Sequence, residues 1–112
     1  MKEIKAYVHR NRVADVIAAL KVSSAWNNGQ NDRPHNLTLY VVKGSLPPLD
    51  DAERHYSVEL GDEVVNEYKL ELNCQDDQVD EFVQIIAAAA RTGQDSAGWI
   101  YVVDLLRAEP IV

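Results

Sequence analysis

Hydrophobic and polar residues alternate in two parts of the chain, from Glu3 to Val8 and again over residues 64–73. A period of two is typical of a strand with one buried face. Two further strands are predicted over residues 36–43 and over the largely apolar residues 99–106. The apolar positions of the first three predicted strands are Ile4, Ala6 and Val8, then Leu37, Leu39 and Val41, and then Val65, Tyr68, Leu70 and Leu72.

Apolar residues at steps of three and four predict two amphipathic helices. The first covers residues 11–21 with Asn11 as its N-cap, and the second starts after Asp76 or Asp77. The second helix is expected to end at Thr92-Gly93, because Gly93 can adopt the left-handed conformation that closes many helices. The buried stripes are predicted to be Val13, Val16, Ile17 and Leu20, and Val79, Phe82, Val83, Ile86 and Ala90.

Two long segments lack either period. Residues 23–36 are polar and turn-forming, with four Asn, and are predicted to be a mobile loop. A second loop opens at Gly44, where Pro47-Pro48 excludes a helix, and a short helical turn is predicted over residues 50–54.

The order strand, helix, strand, strand, helix, strand defines an α+β, ferredoxin-like βαββαβ sandwich. Right-handed crossovers place both helices on one face of a four-stranded antiparallel sheet. We expect a single domain over residues 1–112. The other face of the sheet is then bare, and a ring of like subunits is expected to cover its apolar positions.

Charge and composition narrow the class of partner. Eleven Lys and Arg against 18 Asp and Glu give a net charge of −7, which opposes binding to nucleic acid or to an anionic membrane. The single cysteine, Cys74, fits a reducing compartment and is predicted to be a small buried hydrophobe. We find neither a signal peptide nor an apolar run of ~20 residues, so a cytoplasmic protein without membrane insertion is expected.

Candidate catalytic chemistry is sparse. The histidines His9, His35 and His55 lack metal-ligand spacing, so neither a metal site nor a catalytic residue is predicted. Trp26 and Trp99 are interpreted as packing residues ahead of stacking platforms. Backbone N–H groups of the glycine-bearing residues 91–102, between a helix end and a strand, could cradle an anion.

The run Arg91-Thr92-Gly93, followed by Gly98 and by Ile100-Tyr101-Val102, resembles the B-loop of the PII signalling family. The N-terminal residues 1–6, Val42-Lys43-Gly44 and Asp76-Asp77-Gln78-Val79 also resemble that family, in the same order. We call residues 44–62 the T-loop-like segment and residues 92–99 the B-loop-like segment, and we expect an insertion at about residues 22–35. The resemblance implies a homotrimer without enzymatic activity or prosthetic group. Such a trimer binds adenine nucleotide between subunits and signals through a mobile T-loop to a membrane transporter or metabolic enzyme.

Carried over residue by residue, the resemblance gives a mixed site. Its predicted nucleotide-binding residues are Thr38, Gly44, Ser96, Ala97, Gly98 and Trp99, with Arg91 as a possible new cation. Thr38, Gly44 and Gly98 match the family, whereas Ser96 and Ala97 replace Gly and Asp, and Trp99 replaces a phosphate-binding lysine. Pro47, Pro48, Pro110 and Val112 stand where the family has other polar or cationic residues, and Leu60 stands where many members carry a modified tyrosine.

The missing cations disfavour ATP, because each charge-assisted hydrogen bond contributes about 1.5–3 kcal/mol. ADP or AMP is expected instead, unless Arg91, Arg107, Arg33 or Arg54 substitutes. The pattern is most similar to PII-like proteins of inorganic-carbon handling, including the carboxysome-associated type, which implies bicarbonate as a co-ligand. Two alternatives stay open: an ACT-like or CutA-like trimer that binds an amino acid, anion or metal, and an acylphosphatase-like enzyme using the arginines of residues 9–12.

Overall fold

The computed structural model of the protein describes residues 1–27 and 35–112. Its strands and helices, within that part of the chain, are β1 (Lys2–His9), α1 (Val13–Lys21), α2 (Ser24–Asn27), β2 (Thr38–Gly44), β3 (Arg54–Ser57), β4 (Asp62–Cys74), α3 (Val79–Ala89) and β5 (Trp99–Asp104). Short 3-10 turns at Asp51–Glu53 and Asp76–Gln78 precede β3 and α3.

The sheet is antiparallel throughout and has the order β2-β4-β1-β5, with β3 paired to the first part of β4. α1 and α3 pack against each other, and α3 also packs on β1. The predicted α+β class, with an antiparallel sheet and helices, is confirmed, and the architecture is consistent with a ferredoxin-like fold.

The core lies between the helices and one face of the sheet. Because side chains of a strand alternate between faces, Ile4, Ala6 and Val8 all point into it and are almost fully buried, as predicted. Leu70 and Leu72 of β4, which pair with Ala6 and Ile4, are buried in the same core. From the helices come Val16, Leu20, Phe82 and Ile86, also as predicted, and Cys74 is buried at the end of β4.

The opposite face of the sheet is less apolar than expected. Lys5 lies opposite Glu71 on β4, and its Nζ atom is 3.1 Å from a Glu71 carboxylate oxygen and 3.4 Å from one of Glu3. Tyr7 lies opposite both Lys69 and Trp99. This face therefore carries paired charges beside the exposed apolar positions that the sequence predicted, which on β5 are Trp99, Tyr101 and Val103.

Both predicted helix caps are wrong. α1 starts at Val13 without a side-chain cap, because the backbone N–H of Asn11 donates to His9 Nδ1 in a turn that precedes the helix. Ahead of α3, the 3-10 turn has a capping box made by Gln75 and Gln78. Asp76 instead lies 2.9 Å from the N-terminal ammonium group.

Several predicted boundaries also shift. The second long helix ends at Ala89, short of Thr92-Gly93, although Gly93 does have a positive φ of 88°. The last strand stops at Asp104, and β4 extends from Asp62 to Cys74.

The predicted loop over residues 23–36 contains the short helix α2. Glu81 of α3 accepts hydrogen bonds from the Ala25 backbone N–H (2.7 Å) and from the Ser24 hydroxyl (3.1 Å), which holds the start of α2. Residues 28–34, including Arg33 and about half of the expected insertion, lie outside the described residues.

The T-loop-like segment is only partly irregular. A helical turn forms at Asp51–Glu53, close to its predicted place, but β3 then pairs with β4 as a hairpin. Gly61 closes this hairpin with a φ of 68°, and its N–H donates to the Ser57 carbonyl at 2.7 Å. A β-branched or bulky residue would be strained at that φ. In the part of the chain described, none of the helices has the length and apolar character needed to span a bilayer.

Candidate functional site

An open cleft of ≈ 520 Å³ lies where the start of the T-loop-like segment meets the polar face of the sheet and the B-loop-like segment. Its size is within the usual range for small-molecule sites, about 300–1,000 Å³. Three of the predicted site residues, Gly44, Ser96 and Trp99, line it together. The remaining lining residues are Tyr7, Val42, Lys43, Ser45, Leu46, Pro47, Glu67, Lys69 and Tyr101.

Gly44 and Glu67 fit together on one side of the cleft. A Cβ atom at position 44 would overlap the Glu67 carboxylate, so the glycine makes room for this acid. Glu67 is only 6% exposed, and its Oε2 atom accepts a hydrogen bond of 3.3 Å from the Leu46 backbone N–H. Burial raises the pKa of Glu67, while the Leu46 N–H and the nearby His9 act in the opposite direction.

Lys69 is a cation of the same wall and is held between aromatic rings. Its Nζ atom lies 5.2 Å from the centroid of the Tyr40 ring and 5.5 Å from that of Tyr7, which are cation–π distances. The Glu71 carboxylate is 3.5 Å away. Its hydrogen bond with Tyr40 is the largest influence raising the pKa of Lys69, so this side chain keeps its charge at neutral pH.

Aromatic rings form another part of the cleft wall. Trp99 and Tyr101, on the same face of β5, are nearly parallel with an interplanar angle of 11° and ring centroids 6.3 Å apart. Trp99 is 58% exposed in this chain, in contrast to Trp26, although a packing role was predicted for both. Trp26 does pack, against Phe82 and His35. The exposed Trp99 ring is a surface on which a planar ligand could stack.

Gln94 joins the two segments that border the cleft. Its Nε2 atom donates to the Pro47 carbonyl at 2.9 Å and to the Pro48 carbonyl at 3.3 Å. Its Oε1 atom accepts a hydrogen bond of 2.6 Å from the Thr92 hydroxyl. These hydrogen bonds therefore link the B-loop-like segment to the start of the T-loop-like segment.

Glu53 holds the T-loop-like segment at a second point through the contacts of its carboxylate. One of its carboxylate oxygens accepts the N–H groups of Leu49 and Asp50, both at 2.9 Å. The other lies 2.7 Å from His9 Nε2 and 3.3 Å from Arg10 Nε. Burial alone would raise the pKa of Glu53, but these N–H donors and His9 outweigh it and lower the pKa. Because His9 Nδ1 accepts the Asn11 N–H, a neutral His9 carries its proton on the nitrogen that faces Glu53.

The other predicted site residues do not line this cleft. Thr38 is exposed at the far end of β2, opposite Glu71, and Arg91 is exposed just after α3. Gly98 packs against β1 so closely that a Cβ atom there would overlap the Tyr7 carbonyl oxygen. This glycine is therefore needed for packing of the subunit itself. Ala97, beside it, is half-buried.

The arginines considered as substitutes also lie elsewhere. Arg54 lines a neighbouring cavity of ≈ 350 Å³, and Arg107 pairs with Glu109 at 2.7 Å. Within residues 1–27 and 35–112, no group of three or more His, Cys, Asp or Glu side chains could hold a metal ion.

Sequence reasoning missed Glu53, Glu67, Lys69 and Gln94. For Glu67 and Lys69 a signal was present, since residues two apart on a strand share a face and both fall on the polar face of the alternating pattern. The contact of Glu53 with His9 and that of Gln94 with Pro47 each span more than 40 positions in the sequence. No local pattern indicates such contacts.

Comparison with known proteins supports the family resemblance. No protein-family model matches the chain. The chain is similar to the nitrogen regulatory protein GlnK of Escherichia coli K12, at 34% identity over 71 residues, which are 63% of this chain and 63% of the relative. The GlnK of Shigella flexneri matches equally well. The match thus spans less than two thirds of these relatives' length. GlnK is a PII protein, and the predicted resemblance to that family is confirmed over the matched 63% of the chain.

Proposed function

We propose that this chain is a PII-like regulatory protein and not an enzyme. In this proposal it forms a homotrimer and senses an adenine nucleotide, ADP or AMP ahead of ATP, at clefts between subunits. Bicarbonate is a possible co-ligand. Occupancy is signalled through the T-loop-like segment to a membrane transporter or a metabolic enzyme. Similarity to GlnK, named as a nitrogen regulatory protein, supports the general role.

One observation carries this proposal: Gly44, Ser96 and Trp99 converge on one cleft from two segments far apart in the sequence. The cleft has room for a base and ribose, and the exposed Trp99 ring offers a stacking surface. Ser96 and the backbone N–H groups near Ala97 are candidates to bind one phosphate. Arg91, which lies outside the cleft lining, is a further candidate to bind that phosphate. Thr38 would contribute from the surface of a neighbouring subunit.

The charges of the cleft favour few phosphates. Lys43 and Lys69 are the cations among its lining residues, and Lys69 is already engaged by Glu71. Arginines, which bind phosphate through two parallel hydrogen bonds, are absent from the lining that residues 1–27 and 35–112 form. The residues therefore fit adenosine with one or two phosphates better than they fit ATP.

Two sets of contacts hold the T-loop-like segment beside the cleft, and they suggest how ligand binding is signalled. Gln94 and Glu53 hold its start and its helical turn beside the cleft. A ligand that binds better when these contacts are formed, or better when they are broken, shifts the population of the segment. The hairpin tip, with Tyr56, Val58 and Leu60 exposed, is the surface proposed to contact the partner.

Isothermal titration calorimetry tests this function. ATP, ADP and AMP are each titrated with and without bicarbonate into wild type, Trp99→Ala and the control Tyr56→Ala, which removes an exposed ring outside the cleft. We expect micromolar or tighter binding of ADP or AMP, and a loss of about tenfold or more in Trp99→Ala, because stacking on one base contributes ~1–3 kcal/mol. Tyr56→Ala should match wild type. Absence of binding by all three nucleotides would refute the proposal.

A second candidate is an amino-acid sensor of the ACT-like or CutA-like kind. The observation that favours it is the opposite charge of Glu67 and Lys69 in one cleft, which suits a zwitterion. Thermal-shift measurements separate the two candidates. Stabilisation by ADP or AMP supports the first, and stabilisation by amino acids alone supports the second.

A further inference from the structure

Glu67 has an unusual place in the cleft wall. It lies in the middle of β4 and the residue is only 6% exposed, and yet it borders the cleft. Its position is fixed, because Gly44 leaves the space that the carboxylate fills and Leu46 N–H holds Oε2. Among the residues described, none donates a hydrogen bond to the other oxygen, Oε1. That atom is available to a ligand.

Two basic side chains near Glu67, those of Lys69 and His9, are committed to other partners. Lys69, two residues along the same face, lies between Tyr7 and Tyr40 and pairs with Glu71. His9 acts on Glu67 only at longer range, because its Nε2 atom faces Glu53. In the described part of the chain Glu67 forms no salt bridge. An unpaired carboxylate in a partly desolvated wall repels an anion more strongly than an exposed carboxylate does, because solvent and counterions screen it less.

We propose that Glu67 determines the ligand specificity of this cleft. Its Oε1 atom accepts a hydrogen bond from a neutral N–H or O–H group of the ligand, and its charge repels a phosphate chain that enters beside Gly44. The ligand class that fits is a nucleoside or a nucleoside monophosphate ahead of a di- or triphosphate. This inference rests on the proposed function, since it concerns the same cleft.

A purely structural role would make a different prediction. If Glu67 only holds Leu46 N–H, the variant Glu67→Gln keeps that hydrogen bond through its amide oxygen and leaves the ranking of ligands unchanged. If Glu67 determines specificity, the same variant retains the shape of the wall and loses the repulsion. The order of affinities among ligands that differ only in phosphate number therefore separates the two roles.

The experiment titrates adenosine, AMP, ADP and ATP into wild type, Glu67→Gln and the control Glu59→Gln at one ionic strength. Glu59 is exposed at the hairpin tip, so the control makes the same change in net charge away from the cleft. In wild type we expect affinity to fall at least about tenfold from AMP to ATP. In Glu67→Gln this difference should shrink by about tenfold or more, as expected for loss of one nearby charge. Glu59→Gln should keep the wild-type ranking.

Each outcome has a distinct meaning. Wild type that binds none of the four ligands refutes the proposed function itself. Wild type that binds ATP as tightly as AMP, or Glu67→Gln with the wild-type ranking, overturns the role of Glu67 and leaves the proposed function standing. If Glu67→Gln does not fold, the salt dependence of wild type decides. Repulsion of the phosphate chain predicts that the ATP-to-AMP affinity ratio rises with ionic strength, and a ratio that falls would overturn the inference.

Discussion

Two carboxylates four residues apart on one face of β4 have opposite titration behaviour. Glu71 lies 3.1 Å from Lys5 Nζ and 3.5 Å from Lys69 Nζ, and these cations, Lys5 first, lower the pKa of Glu71. Glu67 has no such partner among the described residues, and burial raises its pKa. Ionisation of the carboxylate therefore stabilises the folded chain at Glu71 and destabilises it at Glu67.

The pH dependence of unfolding should reveal this contrast. The pKa of Glu67 is raised from 4.5, so its contribution to stability is complete below that value and is lost as the pH rises through its folded pKa. The pKa of Glu71 is lowered from 4.5, so its contribution is present above that value and is lost as the pH falls through its folded pKa.

Urea unfolding of wild type, Glu67→Gln and Glu71→Gln between pH 3 and pH 8 measures both effects. Relative to wild type, Glu67→Gln should gain stability as the pH rises above about 4.5. Glu71→Gln should lose stability over the same rise, since wild type then regains its ion pairs. Parallel pH profiles for wild type and Glu67→Gln would contradict the assignment of Glu67 as a buried, unpaired acid.

At the scale of elements, the sequence predicted those parts whose burial follows a period. Ile4, Ala6 and Val8 are buried because every second side chain of a central strand points to the same face of the sheet, here the core face. Phe82 and Ile86 are buried because they lie four residues apart, on the same face of α3. The caps, the end of α3 and the strand β3 were not predicted. They depend on single hydrogen bonds and on pairing with a strand already in place, neither of which has a periodic signature.

The helical turn of the T-loop-like segment provides a test at this scale. Replacing Glu53 by Ala removes the acceptor of the Leu49 and Asp50 N–H groups and the partner of His9. We expect hydrogen exchange at residues 49–53 to accelerate by about tenfold, because one such bond contributes ~1 kcal/mol or more. The control Glu59→Ala, at an exposed carboxylate of the same segment, should leave exchange at residues 49–53 unchanged. Equal protection in Glu53→Ala and wild type would show that the turn does not depend on Glu53.

At the scale of the whole molecule, the sequence predicted the segments that border the cleft better than it predicted the residues that line it. Gly44, Ser96 and Trp99 were predicted from the family resemblance and do share a cleft. Thr38 and Arg91 were predicted on the same basis, but they lie outside that cleft in one subunit. A site between subunits would resolve this difference, because one chain then supplies only part of the wall.

The polar face of the sheet is where such subunits would meet. On β5, Trp99, Tyr101 and Val103 share that face, and each is at least 39% exposed in the single chain. Exposed aromatic and aliphatic side chains grouped on one sheet face are typical of an interface. The charged pairs around Lys5 and Lys69 would be shielded from water by the same contact and would define its register.

Sedimentation analysis of wild type, Val103→Asp and Val58→Asp tests this arrangement. Wild type is expected to sediment as a homotrimer of the 12.6 kDa chain. In Val103→Asp a new carboxylate opposite Glu3 would be buried without a partner, so dissociation to monomers is expected, with an increase of about 100-fold in the dissociation constant. Val58 is 87% exposed at the hairpin tip, away from this face, so Val58→Asp should stay trimeric. A monomeric wild type would refute the proposal of clefts between subunits. A trimeric Val103→Asp would show that the interface lies on another face, and Thr38 could then not contact a ligand bound in a neighbouring subunit's cleft.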